Sequence, residues 1–348
     1  MMRTFLFCLV CIFYGCNISE GGDNQSDKLE IVKLSEAIEK DPKNTTLLLL
    51  RADYNISSNN LESALFDLRE CVLLDSLNSH FHYKLAKNYF ELSKSSIKNE
   101  DYPMMSRYHL EKALEINTKD YRAHALLGEL FLAFRVIDPK SYTKALYHLN
   151  RSLKIEYNQA NTHMLLGYTF KFLEQESKAI NCFMNSINVD PSFQEAYVQL
   201  GHIFHAKKDT TALTYYNNAL KLYPKDTLVL YAKAMFYQDM LDWNSALESY
   251  SYLHKVSPFH ANGHYNLGFI HMELGLYDVA ANNFSDAIYS NSSFFEAYYS
   301  RGICFETLGN IAQAESDYKR AIAINANYVF AIDALKELRT KNTINKKQ

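Results

Sequence analysis

Apolar residues recur along the chain at helical spacing, in pairs of amphipathic segments joined by short polar turns. Several of these segments end at a proline: Pro191, Pro224 and Pro258 close the runs SINVDP, ALKLYP and HKVSP and lie 33 and 34 residues apart. Pro42 closes the run AIEKDP in the same way. A fixed period of this length indicates that one helical unit is repeated along the chain.

Each unit also carries a small residue where two helices would cross. A Leu-Gly pair stands upstream of the closing proline at Leu166-Gly167, Leu200-Gly201 and Leu267-Gly268. A large side chain follows three residues later, at Phe170, Phe204 and His271. A glycine lets the two helix backbones approach closely, and the large side chain fills the angle between them. The pattern therefore predicts an all-α chain of packed helix pairs.

These residues resemble the tetratricopeptide repeat, a helix pair of about 34 residues with small and aromatic side chains at fixed positions. In the segment 160–193 the matching residues are Leu166, Gly167, Phe170, Ala179, Phe183, Ser186 and Pro191. The resemblance implies a right-handed α-α superhelix, a solenoid of about eight helix pairs with a flanking helix at each end.

The repeat period predicts the domain organisation. Eight units are expected at 45–78, 79–120, 121–159, 160–193, 194–226, 227–260, 261–294 and 295–328. Extra residues at 94–103 and 135–140 lengthen the second and third units. An N-terminal helix is expected within 28–44, a capping helix at 329–340 and a polar tail at 341–348. A cap is needed because the end repeat of a stack exposes apolar surface.

The N-terminus has the pattern of an export signal. A single cation, Arg3, precedes an apolar run at 4–14. A helix of this length would span about half of a bilayer's apolar core, so the run is too short for a transmembrane helix and fits a secretory signal. Gly15 and Cys16 follow, and then a polar stretch.

This arrangement resembles a bacterial, Bacteroidetes-like lipoprotein signal, although Phe13 and Tyr14 depart from the usual lipobox. The resemblance implies that 1–15 is removed, that Cys16 is lipidated and that 16–27 is a flexible tether. The expected location is then the bacterial cell envelope, at the outer membrane on its periplasmic or surface face. An ordinary cleaved signal peptide with an incidental Cys16 is the alternative.

Composition and charge narrow the classes of function. Gly 11 and Pro 6 make about 5% of the chain, against roughly 12% in ordinary globular proteins, which argues against turn-dense all-β and collagen-like chains. Hydrophobic content of 48% excludes global disorder. Lys+Arg 36 against Asp+Glu 39 gives a net charge of −3, so nothing points to a nucleic-acid partner.

Few residues suggest catalysis or metal binding. Cys71, Cys182 and Cys304 are too far apart for a metal site and are expected to be buried. His202 and His205 lie three residues apart but lack a third ligand nearby. Four further histidines stand where the resemblance places a packing aromatic: His82, His124, His163 and His264. The chain has no phosphate-binding or nucleophile motif, so we expect no cofactor, no metal and no enzymatic activity.

The resemblance places the partner-binding surface on the first helix of each pair, where these helices line a concave groove. Carried over residue by residue, the candidates are Tyr168, Lys171, Phe172, His202, Tyr231, Met235, Tyr265, Asn266, Phe269, Met272 and Tyr299. Tyr, Phe and Met offer adaptable contact area for a peptide, although part of this set would pack between helices if the helical phase slips by one residue. The basic clamp for carboxylates found in chaperone-binding members is not reproduced; Lys84 and Lys87 are only a hint of it.

These features predict a membrane-tethered scaffold or adaptor that binds protein or peptide partners of the cell envelope through the groove. A glycan- or cell-wall-binding lipoprotein, with the tyrosines as a stacking platform, is the alternative. A secreted or organellar eukaryotic repeat protein, with glycosylation sequons at Asn55, Asn283 and Asn291, also remains open.

Overall fold

The computed structural model of the protein describes residues 24–95, 101–133 and 140–345. The proposed signal segment and Cys16 lie outside the described residues, as do parts of the two insertions. In the described part of the chain, no helix is both long and apolar enough to cross a membrane.

All regular secondary structure in the described residues is α-helical, and the chain divides into two compact units, with the division in the sequence between Tyr157 and Asn158. Unit 1 contains α1 (Asn24–Lys40), α2 (Thr45–Ser57), α3 (Leu61–Leu74), α4 (Ser79–Ser95), α5 (Tyr102–Ile116), α6 (Tyr121–Ala133) and α7 (Ser141–Ile155). Unit 2 contains α8 (Ala160–Phe172), α9 (Glu176–Val189), α10 (Gln194–Ala206), α11 (Thr211–Leu222), α12 (Thr227–Asp239), α13 (Trp243–Val256), α14 (Ala261–Glu273), α15 (Tyr277–Ser290), α16 (Phe295–Thr307), α17 (Ile311–Ile324) and α18 (Val329–Asn345).

Within each unit the helices pack as successive pairs. From α2 onward, each even-numbered helix packs on the odd-numbered helix that follows it, and that second helix packs on the first helix of the next pair. Unit 1 contains three such pairs after α1, and unit 2 contains five before α18. The prediction of an all-α chain of tetratricopeptide-like helix pairs is therefore confirmed. Helix α18 runs into the segment expected to be a polar tail, because no Gly or Pro interrupts it there.

The turns between helices are formed by short polar residues that cap the next helix and, within several helix pairs, by one residue with a left-handed backbone conformation. Asp226 accepts hydrogen bonds from the backbone N–H groups at the start of α12, and Asp242 does the same for α13. Gly275 and Gly309 have φ of +77° and +80° in the turns between paired helices, where glycine costs least. Leu241 takes φ of +57° in the equivalent turn, at a cost of about 1 kcal/mol.

Every helix pair has a large, fully buried side chain near the centre of its second helix. We call it the central side chain. The central side chains are Leu68, Leu110 and Leu149 in unit 1, and Phe183, Tyr216, Tyr250, Phe284 and Tyr318 in unit 2. They pack where the first helix carries its small residue. A Cβ added at Gly201 would lie 2.5 Å from Tyr216 Cε1, and one at Gly302 would lie 2.6 Å from Tyr318 Cε1. The glycines are required by this close packing.

The side chains expected to be inert are buried. His82, His124, His163 and His264 are each less than a tenth exposed, as a packing role requires. Cys71, Cys182 and Cys304 are free, buried thiols, and burial raises the pKa of each to about 11.

Candidate partner-binding surfaces

The predicted groove residues of unit 2 lie on its first helices, and hydrogen bonds join each of these helices to the next. Between α8 and α10, the Tyr168 hydroxyl donates to Glu195 Oε1 at 2.5 Å, and Lys171 Nζ donates to Gln199 Oε1 at 2.8 Å. The amide of Gln199 donates back to Glu195 at 2.8 Å. The four side chains form one polar network across two repeats.

Glu195 is the charged centre of that network. Burial raises the pKa of Glu195 above its ordinary value, while hydrogen bonds from Tyr168 and Gln199 favour the charged carboxylate. The nearby ammonium of Lys171 also favours it.

The same linkage continues along the following first helices. A hydrogen bond of 2.8 Å joins His205 Nε2 on α10 to Asp239 on α12. Asn266 Nδ2 on α14 donates to the Tyr231 hydroxyl on α12 at 3.1 Å. The Tyr265 hydroxyl on α14 lies 3.4 Å from Ser300 Oγ on α16. We call the face formed by α8, α10, α12, α14 and α16 the first-helix surface.

The hydroxyl groups of two central tyrosines form hydrogen bonds with side chains of the first helices. The Tyr216 hydroxyl lies 3.1 Å from His202 Nδ1. The Tyr250 hydroxyl donates to Gln238 Oε1 at 2.9 Å and accepts from Asn266 Nδ2 at 2.8 Å. Sequence reasoning placed these tyrosines in the core and missed their polar contacts. The signal was the choice of Tyr over Phe at a buried position, since a buried hydroxyl needs a partner.

Most of the aromatic candidates are partly used in packing. Tyr265 contacts Phe284 and Phe294, with ring centroids 5.4 and 4.9 Å away. Tyr231, Met235 and Phe269 pack against one buried cluster of unit 2, and Met272 and Tyr299 pack against two others. Tyr168 is itself buried. Phe172 is half-buried, Asn266 is buried, and Lys171 and His202 are exposed. An alanine at Tyr265 or Phe269 would therefore also lower stability.

A group of tyrosines and carboxylates at the C-terminal end of unit 2 escaped the sequence analysis. Tyr299 and Tyr328 lie edge to face with centroids 5.4 Å apart. Burial raises the pKa of Tyr328 to about 12, and the phenols of Tyr265 and Tyr299 and the carboxylate of Glu296 add to the effect. The pKa of Tyr299 is raised by burial and then by neighbours that include Glu337. The carboxylates of Glu296 and Glu337 therefore lie close enough to these phenols to act on them electrostatically.

Unit 1 contains a cavity of about 320 Å³ beside its first helices. It is lined by Asp53, Ile56, Leu61, His80, Tyr83, Lys84, Lys87, Asn88, Glu91 and Arg122. Two of its cations already have partners: Lys84 Nζ lies 2.6 Å from Asp53, and Arg122 pairs with Asp120 at 3.0 Å. Lys84 and Arg122 are therefore engaged in ion pairs, whereas Lys87 has no ion pair among the described residues.

The described residues contain no group of three or more His, Cys, Asp or Glu side chains arranged to hold a metal ion. His202 and His205 both turn towards the Tyr216 hydroxyl, at 3.1 and 3.3 Å. Nδ1 of His202 and both ring nitrogens of His205 are thus engaged in hydrogen bonds within the fold.

Comparison with known protein families identifies two of the helix pairs, by their sequence, as tetratricopeptide repeats. Models of the tetratricopeptide repeat match residues 160–193 and 295–328. A search of curated proteins gave no significant match.

Solved structures share the fold at low sequence identity. PilF of Pseudomonas aeruginosa has a TM-score of 0.51 and 15% identity, over 62% of this chain and 92% of that chain. A tetratricopeptide repeat protein from Parabacteroides merdae has a TM-score of 0.49 and 15% identity, over 74% of this chain and 98% of that chain. At this level of identity the likeness concerns the fold alone.

Proposed function

Because the chain is a tetratricopeptide repeat protein, we propose that it is a non-enzymatic scaffold that binds protein partners through the first-helix surface of unit 2. The hydrogen-bonded linkage of that surface from α8 to α16 carries the proposal. A surface whose side chains are held by neighbours loses little conformational freedom when a partner binds. Half-buried aromatic side chains on it, such as Tyr231 and Tyr299, add contact area.

The charge of the surface indicates the chemistry of the partner. At its C-terminal end, the carboxylate of Glu296 acts electrostatically on Tyr328 and that of Glu337 on Tyr299, and neither carboxylate has an ion-pair partner among the described residues. Glu306 is partly compensated by Lys341 at 3.2 Å. Carboxylates beside aromatic faces favour Lys or Arg side chains, through ion pairs and cation–π contacts. We infer that the partner presents a basic, extended segment.

Charge reversal tests this inference. We expect wild-type protein to bind fluorescent Lys/Arg-rich peptides in preference to Asp/Glu-rich peptides of matched length, with an affinity that falls as salt is added. The variant Glu296→Lys/Glu337→Lys should weaken that binding about tenfold. The matched variant Asp278→Lys/Asp286→Lys, on the exposed face of α15, should bind as the wild type does.

Other preferences in the same assay contradict the proposal. Equal binding of acidic peptides, or equal losses in the two charge-reversal variants, would show that the contact is not made at Tyr299 and Tyr328. Retention on purified cell-wall glycan, unaffected by either variant, would instead support the glycan-binding alternative.

We further propose that the scaffold acts at the bacterial cell envelope, held there by a lipid on Cys16. The support is the sequence pattern at 1–16 alone. Metabolic labelling with an alkyne palmitate analogue should mark the expressed full-length protein, and Cys16→Ala should abolish the label. Export with no label on Cys16 would favour an ordinary cleaved signal peptide.

A further inference from the structure

Unit 1 contains the same pair of histidines twice. His82 on α4 faces His109 on α5 with the two Nδ1 atoms 2.9 Å apart, and His124 on α6 faces His148 on α7 with 3.0 Å between the Nδ1 atoms. Ring centroids are 5.2 Å apart in both pairs, at interplanar angles of 33° and 35°. Each pair joins the first helix of its repeat to the second.

The surroundings of the two pairs are also repeated. His109 lies edge to face with Tyr108 and stacks on Tyr89, at 5.0 and 5.9 Å. His148 lies edge to face with Tyr147 and stacks on Phe131, at 4.9 and 5.8 Å. Two repeats of unit 2 keep the histidine of the first helix but lack the histidine of the second helix. There His163 and His264 are buried, but Cys182 and Asn283 stand where the second imidazole would be.

Hydrogen bonds fix the protonation of each pair. Nε2 of His82 lies 3.1 Å from the Ser76 carbonyl oxygen, and Nε2 of His124 lies 3.3 Å from the Thr118 carbonyl oxygen. A carbonyl oxygen only accepts, so these Nε2 atoms carry the proton and the Nδ1 atoms of His82 and His124 are bare in the neutral ring. His109 and His148 must then donate from Nδ1.

Each pair can keep its Nδ1–H···Nδ1 hydrogen bond after it binds one extra proton, but not after it binds two. The first proton can go to Nε2 of His109 or His148 and leave the Nδ1–H···Nδ1 bond in place, but it puts a charge on a ring that is buried at His109 and half-buried at His148. A second proton has to go to the accepting Nδ1 of His82 or His124. Two N–H groups would then point at each other at 2.9–3.0 Å, and the bond would be lost.

The charged groups around the two pairs stabilise a protonated ring only weakly. Arg69 on α3 opposes a proton on His109, and Tyr89 and Tyr108 are neutral neighbours. Arg151 opposes a proton on His124, while Asp120 favours it. That carboxylate is already bound by Arg122 at 3.0 Å.

We propose that the two histidine pairs are acid-sensitive joints, which hold α4 to α5 and α6 to α7 at neutral pH and loosen both helix pairs when the rings are protonated. The device lies in unit 1 and does not depend on the partner-binding role of unit 2.

The sign of the pH dependence follows from the two end states. Burial, reinforced by the neighbouring His82 and Arg69, lowers the pKa of His109 to about 4; burial and then His124 lower the pKa of His148 to about 4. An unfolded chain binds these protons near pH 6.5. The unfolded state therefore takes up more protons as the pH falls from about 6.5 to 4, and the pairs' stabilisation is present above that window and lost within it.

Unfolding of the full chain in urea, followed by circular dichroism from pH 7.5 to pH 5, tests the joints. At pH 5 each pair should have lowered the folding equilibrium constant by about 10- to 30-fold. The variant His109→Asn/His148→Asn places an amide donor near the position of each Nδ1–H and does not titrate there. Over the same pH range, the folding equilibrium constant of this variant should fall about 100-fold less than that of the wild type.

A matched variant and a direct measurement complete the test. His254→Asn removes an exposed imidazole that packs edge to face on buried His264 at 4.8 Å, with no hydrogen bond between the two rings among the described residues. It should leave the pH dependence unchanged, because no Nδ1–H···Nδ1 bond is lost there. Ring ¹⁵N NMR of the wild-type protein should show bare Nδ1 atoms on His82 and His124 and protonated Nδ1 atoms on His109 and His148. Titration of His109 and His148 near pH 6.5 in the folded protein, or an unchanged pH dependence in the double Asn variant, would overturn the proposal.

Discussion

Removing the carboxylate of Asp317 should lower the free energy of unfolding of unit 2 by about 3 kcal/mol. The Arg301 guanidinium on α16 donates to both oxygens of Asp317 on α17, each at 2.8 Å. It also donates to Ser285 Oγ at 3.0 Å and lies 5.6–5.7 Å from the ring centroids of Tyr298 and Phe305. Asp317→Ala leaves this cation with one neutral acceptor and two aromatic neighbours.

The magnitude follows from the burial of the two charges. Loss of one partner from a buried ion pair costs about 3–5 kcal/mol, because the remaining charge stays without compensation. The Arg301 side chain is 20% exposed and the Asp317 side chain 7%, so water partly screens the orphaned cation and the lower end of the range applies. For a unit of this size, about 3 kcal/mol corresponds to a fall in Tm of roughly 6–12 °C.

Urea unfolding followed by the fluorescence of Trp243, the single tryptophan, reports on unit 2. The double variant Arg301→Met/Asp317→Leu should recover most of the lost stability, since it removes both charges together. Glu315→Gln, which removes the solvent-screened ion pairs of Glu315 with Lys319 and Arg339, should leave the urea midpoint nearly unchanged. A cost below about 1 kcal/mol for Asp317→Ala would refute the reasoning, because such a pair would be behaving as a surface pair.

The same reasoning gives a second, independent case in unit 1. Arg51 binds both oxygens of Asp67, at 2.9 and 2.7 Å, and donates to Ser35 Oγ at 3.2 Å. Asp67 is the more buried of the two acids, with a side chain 2% exposed. Asp67→Ala should therefore cost at least as much in unit 1 as Asp317→Ala costs in unit 2.

Two further substitutions probe the packing of unit 2, each by urea unfolding. Gly201→Ala should destabilise by about 1–3 kcal/mol, because its Cβ would lie 2.5 Å from the Tyr216 ring, and Tyr216→Leu in the same chain should relieve much of that cost. Tyr250→Phe should cost about 1–2 kcal/mol by leaving Asn266 and Gln238 without the shared hydroxyl; a neutral result would mean that water replaces it.

The sequence was enough to predict the helix pairs because their determinants are local. The closing prolines, the small residues at the crossings and the apolar period all lie within one repeat. The burial of His82 and Cys71 followed from the same register. Those features recur unit after unit, so each unit supports the interpretation of the others.

Contacts between repeats could not be predicted in the same way. The bond from Tyr168 to Glu195 spans 27 residues, and the one from Tyr231 to Asn266 spans 35. Whether two such side chains meet depends on small rotations of one helix against the next, which the period does not fix. The aromatic candidates that turned out to pack, such as Tyr265, reflect the same uncertainty of helical phase.

The three buried thiols make the protein its own reporter of local opening. A thiol with a pKa of about 11 and no solvent contact reacts with an alkylating reagent only while the helices around it are separated. Cys71 lies in unit 1, whereas Cys182 and Cys304 lie in unit 2. Their alkylation rates, followed by mass spectrometry, would give separate opening free energies for the two units without any introduced label.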